Sequence, residues 1–142
     1  MASATTSDYL YNKQLGQLFK AVAFTTPANL YIALFTSSPS LNGTGGAEVS
    51  TSGTGYARVS VPPGTEWSGP DGSLQYSNTN DITFGAPTAN WGTIVSAGIY
   101  DAATGGNLLY VAPLAVAKTV SSGDGNPRVL AGQMKISRAT CA

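Results

Sequence analysis

The chain has 142 residues, seven Lys/Arg against seven Asp/Glu, a formal net charge of zero, and only 10 % charged residues. That length supports one domain with a core of its own, and the sparse, scattered charge excludes nucleic acid as a partner, because neutralising phosphates needs clustered Lys and Arg. A surface built from Ser, Thr, Asn, Gly and Ala suits a protein packed permanently against others, or a secreted β-protein.

Residues 1–7 are small and polar and predict a flexible arm, without the basic start or apolar stretch of a signal peptide. A helix follows over residues 8–23. Tyr11, Leu15, Leu18, Phe19 and Val22 fall on one face at helical period. Ser7 is placed to cap this helix, Asp8 sits at the positive end of its dipole, and Pro27 bars its continuation. The apolar face predicts a clamp onto the domain's own sheet.

From Asn29 the chain changes character. Its 17 Gly and eight Pro punctuate short runs rich in Val, Ile, Thr, Tyr and Phe, the pattern of an antiparallel β domain. Strands are expected over residues 30–36, 56–61, 74–76, 81–84, 92–100, 107–111, 118–120 and 128–136. The expected fold is therefore mainly β: an antiparallel, jelly-roll-like β-sandwich of about eight strands, with one N-terminal amphipathic helix, all in a single domain over residues 1–142. An open Greek-key barrel is the near alternative.

Between the first two strands, residues 37–55 form a polar, glycine-rich connection too long for a simple turn. Leu41 and Val49 are its sizeable apolar residues, available to anchor the loop to its own domain or to a neighbour. A Pro/Gly-rich insertion over residues 62–72 ends in a Pro-Asp-Gly turn and carries Trp67, which must pack into the core or serve as a stacking platform for a sugar. Leu41, Val49 and Trp67 are the candidate interface residues. Residues 91–111 then give the strongest local signal of the chain, two β-rich runs around the polar turn Asp101-Ala102-Ala103-Thr104-Gly105-Gly106-Asn107.

Catalytic equipment is scarce. The chain has no His, which removes the commonest general base and metal ligand, and its one Cys, Cys141, leaves a zinc site without a ligand set. The same lone Cys can form no intramolecular disulfide. A glycosidase needs two carboxylates across a cleft; Glu66 with Asp71 or Asp81 could supply such a pair. Asp71, Asp101 and Asp124 stand in Gly-rich turns, where Asp serves backbone geometry. No calcium-loop series exists, and neither Gly43-Thr44-Gly45-Gly46 nor Thr104-Gly105-Gly106 continues as a phosphate loop. The longest apolar run, residues 30–35, is far too short to span a bilayer. The expectation is a protein that is not an enzyme, with no catalytic residues, no cofactor, no metal and no membrane partner.

Several segments carry a resemblance: residues 8–19; Leu30-Tyr31-Ile32-Ala33-Leu34-Phe35-Thr36-Ser37-Ser38-Pro39; Gly45-Gly46-Ala47-Glu48-Val49-Ser50; Gly55-Tyr56-Ala57-Arg58-Val59; Ile82-Thr83-Phe84; Trp91-Gly92-Thr93-Ile94; and residues 98–109. In order and spacing they resemble a family of small virion proteins of tailed bacteriophages, whose members are labelled tail-fibre or structural proteins. The insertion at 62–72 and the tail beyond Arg128 depart from the pattern. Some members are similar to capsid cement (decoration) proteins, which bind the outer capsid face and stabilise the shell by bridging capsomers. The resemblance therefore implies a virion protein made in the bacterial host cytoplasm and placed on the capsid surface, with the phage major capsid protein as partner; a second copy of itself, in a homodimer, is a further expected partner because two-fold pairing is the commonest closed assembly. The alternative it leaves open is a tail-associated module touching a host-surface glycan, with Trp67, Tyr76 and Trp91 as stacking residues.

Overall fold

A computed structural model describes residues 4–137. Cys141 lies outside the described residues, as do the first three residues of the expected arm. The rest of that arm is not free. Thr5–Thr6 forms strand β1, and Ala4 is buried, its N–H donating to Lys135 O at 2.9 Å. Ser7 begins helix α1 (Asp8–Lys20) as expected, its hydroxyl oxygen accepting from Leu10 N at 3.2 Å. The helix ends three residues short of the expected boundary at 23, because Ala21 turns left-handed (φ 51°) and Val22 N donates back to Gly16 O at 3.2 Å.

The apolar stripe does not clamp the sheet. Tyr11, Leu18, Phe19 and Val22 are 55, 74, 73 and 54 % exposed, and Leu15 is half-buried. Leu10, off the stripe, is the helix residue buried in the core. The helix is fastened at its first turn, where the Ser7 hydroxyl donates to Leu108 O and Asp8 N donates to Leu41 O at 2.9 Å. Beyond that turn Leu18, Phe19 and Val22 face solvent, while Leu15 is half-buried.

Ten further strands follow: β2 (Leu30–Ser37), β3 (Ala47–Glu48), β4 (Val59–Val61), β5 (Trp67–Ser68), β6 (Gln75–Asn78), β7 (Ile82–Thr83), β8 (Gly92–Tyr100), β9 (Leu108–Val120), β10 (Arg128–Val129) and β11 (Lys135–Ser137). One six-stranded antiparallel sheet runs β1-β9-β8-β2-β3, with β4 also paired to β2; β11-β6-β5 and β10-β7 form two small antiparallel sheets. No sheet closes into a barrel among the described residues. The architecture is thus mainly antiparallel β with one N-terminal helix, as expected. The expected strands at 107–111 and 118–120 are one continuous strand, β9, which bulges where Ile94 faces Lys118 but Ser96 faces Pro113. The expected strand at 128–136 is instead two short ones, β10 and β11, on different sheets. The long loop and the insertion each contain a two-residue strand, β3 and β5 respectively.

Alternation along β2 and β8 sends side chains to both faces of the large sheet. On one face Ile32, Leu34, Ile94, Ala97 and Ile99 join Ile82, Phe84, Trp91 and Met134 in the main core, against which Trp67, Val129 and Ile136 pack. On the other, Ala33, Phe35, Tyr100, Leu108 and Val111 form a second cluster. Phe35 passes over Gly98, where a Cβ would stand 2.8 Å from the Phe35 ring, so the close approach requires glycine.

Candidate interface surfaces

Four of the segments that carry the resemblance, residues 30–39, 45–50, 55–59 and 98–109, meet in one clamp. Arg58, following the Gly-Tyr-Ala run, makes a forked ion pair with Glu48: Nε donates to Oε1 at 2.9 Å and Nη2 to Oε2 at 2.8 Å. Its Nη1 donates to Ala102 O at 2.9 Å and Gly105 O at 2.8 Å, both in the hairpin turn between β8 and β9. The guanidinium lies over the Tyr100 ring, 3.7 Å from its centre. The Tyr56 hydroxyl donates to Glu48 Oε1 and accepts from Leu34 N, each at 2.9 Å. Burial, followed by the nearby Glu48 charge, pushes the Tyr56 hydroxyl well above its ordinary range. Asp101 shapes the turn, its carboxylate accepting from the Asn107 backbone N–H at 2.7 Å and side-chain amide at 2.9 Å. The clamp fastens loop, strand and hairpin together. Sequence reasoning named these residues only as pattern, since Glu48, on β3, and Arg58, in the segment just before β4, are ten apart and no local spacing announces the pair.

The three candidate interface residues lie in three different environments. Val49 is 3 % exposed inside the main core, its N–H donating to Leu34 O at 3.0 Å. It anchors the loop to its own domain and offers nothing to a neighbour, which removes it from the interface set. Leu41 is exposed at the tip of a turn closed by Ser40 N to Thr44 O and Gly43 N to Ser40 O, both at 2.9 Å. The long connection is therefore ordered, with Leu41 displayed beside the start of α1.

Trp67 is half-buried and lines a small apolar cleft of about 190 Å³ with Leu30, Tyr76, Tyr110 and Ile136. Its indole N–H is buried without a hydrogen-bond partner among the described residues. Tyr76, at the same cleft, is exposed. Trp91 is buried against Tyr56 and Phe84 and donates its N–H to Thr54 O at 2.8 Å, so it is not a surface stacking residue. A larger cleft of about 700 Å³ lies between the bulged half of β9 and the segment leading into β10, walled by Leu114, Val116, Val129 and Leu130 with Lys118 and Asp124 at its polar side.

Most of the aspartates serve backbone geometry. Asp71 accepts from Ser73 N and Gln75 N, Asp124 from Ser121 N, and Asp81 from Ala131 N. Glu66 accepts from the Asn80 amide at 3.1 Å. Among the described residues no three His, Cys, Asp or Glu side chains converge on a point that could hold a metal, and no helix is long and apolar enough to cross a membrane.

Comparison with known proteins gives one family. The model of the podophage GP4 fiber I protein gp80 matches residues 5–137, nearly the whole chain, including the helix, the clamp and both sheet faces. No curated protein matches.

Proposed function

Since the chain belongs to the podophage GP4 fiber I protein family, a family of tailed-phage virion proteins, we propose that it is a structural subunit of the phage fibre that works by contact and not by catalysis. The observation that carries this reading is the family match from β1 to β11. The physical character of the chain agrees with it: a β body stiffened by the Arg58–Glu48 clamp, with too little charge, 10 % of residues and none net, to hold it apart from neighbours. In this role the cleft beside Trp67 and Tyr76 is where a sugar ring of a host-surface glycan would stack.

A second reading is a capsid cement protein on the major capsid protein. It is favoured by the rigid, exposed Leu41 turn, a reaching element on a weakly charged domain. Cement would stabilise the shell by mass action, binding assembled capsomers and not separated ones. Phage particles assembled without this chain separate the two. The fibre role predicts stable heads that adsorb poorly to host cells; the cement role predicts normal adsorption and heads that lose their genome on mild heating. Particles normal in both respects contradict both readings.

A further inference from the structure

Among the asparagines of this chain, Asn42 alone is followed by glycine. The others precede residues with side chains, or Pro127, which has no N–H to react. With no Cβ on residue 43 to obstruct it, the Gly43 backbone nitrogen can swing onto Asn42 Cγ and close a five-membered ring. Asn42 and Gly43 are both exposed in the Leu41 turn, and Asn42 Nδ2, the group that would leave, makes no hydrogen bond among the described residues.

We propose that Asn42 is a self-modification site, deamidated through a succinimide at a rate that the Leu41 turn holds down. The Gly43 nitrogen loses its proton to hydroxide and bonds to Asn42 Cγ. The Cγ–Nδ2 bond then breaks, and Nδ2 takes a proton from water and leaves as ammonia. A second water opens the imide at either carbonyl, giving aspartate or isoaspartate. Overall one amide and one water become one carboxylate and one ammonium ion. The turn opposes the first step at both reacting groups. The Gly43 N–H is donated to Ser40 O at 2.9 Å, a bond the nitrogen must give up before it loses its proton. Asn42 Oδ1 accepts from Thr44 N at 3.0 Å and from Thr44 Oγ1 at 2.7 Å, which ties the amide into the turn. Attack therefore proceeds from a locally opened turn. Each event adds one negative charge to a chain whose formal net charge is zero, and places it next to Leu41, whose carbonyl oxygen accepts from Asp8 N at the start of α1. The reaction is independent of where in the particle the chain sits.

The test follows the whole chain at mildly alkaline pH by isoelectric focusing and by mass spectrometry of its proteolytic peptides. The first acidic species to appear is expected to carry a gain of one mass unit at residue 42, with isoaspartate there. Asp71–Gly72 and Asp124–Gly125 can form the same imide but return to the same mass, so they do not confuse the readout. Asn42→Gln should abolish the species, because the longer side chain cannot close the five-membered ring. Thr44→Ala removes one hydrogen bond from the exposed Asn42 amide and should speed the reaction about fivefold, the factor that one typical hydrogen bond represents. In urea the two proteins should react at one common rate, faster than that of the folded wild type. A different asparagine reacting first, a folded Thr44→Ala no faster than wild type, or an unfolded wild type no faster than the folded one would each overturn the proposal.

Discussion

The guanidinium of Arg58 lies 3.7 Å from the centre of the Tyr100 ring while its other edge is forked onto Glu48. One side chain thus joins strand β3, the second apolar cluster and the β8–β9 turn. Arg58 is 8 % exposed and Glu48 26 %, so the pair is shielded from most solvent screening. Arg58→Ala is expected to cost about 3 kcal/mol, the lower end for breaking a buried pair because Glu48 keeps some water. Arg58→Lys keeps the charge and loses the fork and the stacking, so it should recover less than half of that loss. Urea midpoints of the three proteins measure this; equal stability of Arg58→Lys and wild type would contradict the geometry.

Gly98 is required by the ring that crosses it. A Cβ there would stand 2.8 Å from Phe35 Cε2 and 3.2 Å from Leu108 Cδ1. Gly98→Val should destabilise by about 2 kcal/mol through overpacking. The same substitution in a Phe35→Leu background should cost clearly less, because the obstructing ring is gone. Additive losses in the double-mutant cycle would mean the ring is not the obstacle.

Trp67 carries a buried indole N–H with no partner among the described residues. Leaving such a donor unmet opposes folding by about 1–3 kcal/mol. Trp67→Phe removes the donor and keeps most of the apolar body, so its thermal midpoint should equal or exceed that of wild type. Trp67→Ala should lose about 3 kcal/mol. A large loss in Trp67→Phe would show that the N–H is satisfied in solution.

Alkaline pH should unfold the protein through its tyrosines. Tyr56, Tyr100 and Tyr110 all have hydroxyl pKa values raised above the ordinary 10, in each case chiefly by burial. A folded pKa above the unfolded one means the unfolded chain releases these protons first, so the stability they contribute is complete below about pH 10 and is lost as pH rises through the folded values. Urea midpoints should hold from about pH 7 to 9 and fall beyond about 10. Tyr56→Phe should fall less steeply, and an equal slope would remove Tyr56 from the account.

How much of this was legible depends on how local the cause is. The β8–β9 hairpin and the Ser7 cap rest on neighbouring residues, and both stand where the sequence places them. Strands β3 and β5 have two residues each and exist because a partner strand offers hydrogen bonds, which no propensity announces. The stripe on α1 was visible as a stripe, but periodicity does not say which body covers a face; the Ser7 and Asp8 contacts that fasten the first turn decide that, and they come from residues far along the chain. Val49 and Leu41 look alike in sequence and differ only through tertiary placement, one in the core and one at a turn tip.

The most direct test of the fibre assignment is immunogold electron microscopy of intact particles with antibody against this chain. The account predicts gold on the fibres and bare heads. Gold scattered over the capsid surface, or unlabelled particles with the antigen free in the lysate, would contradict it.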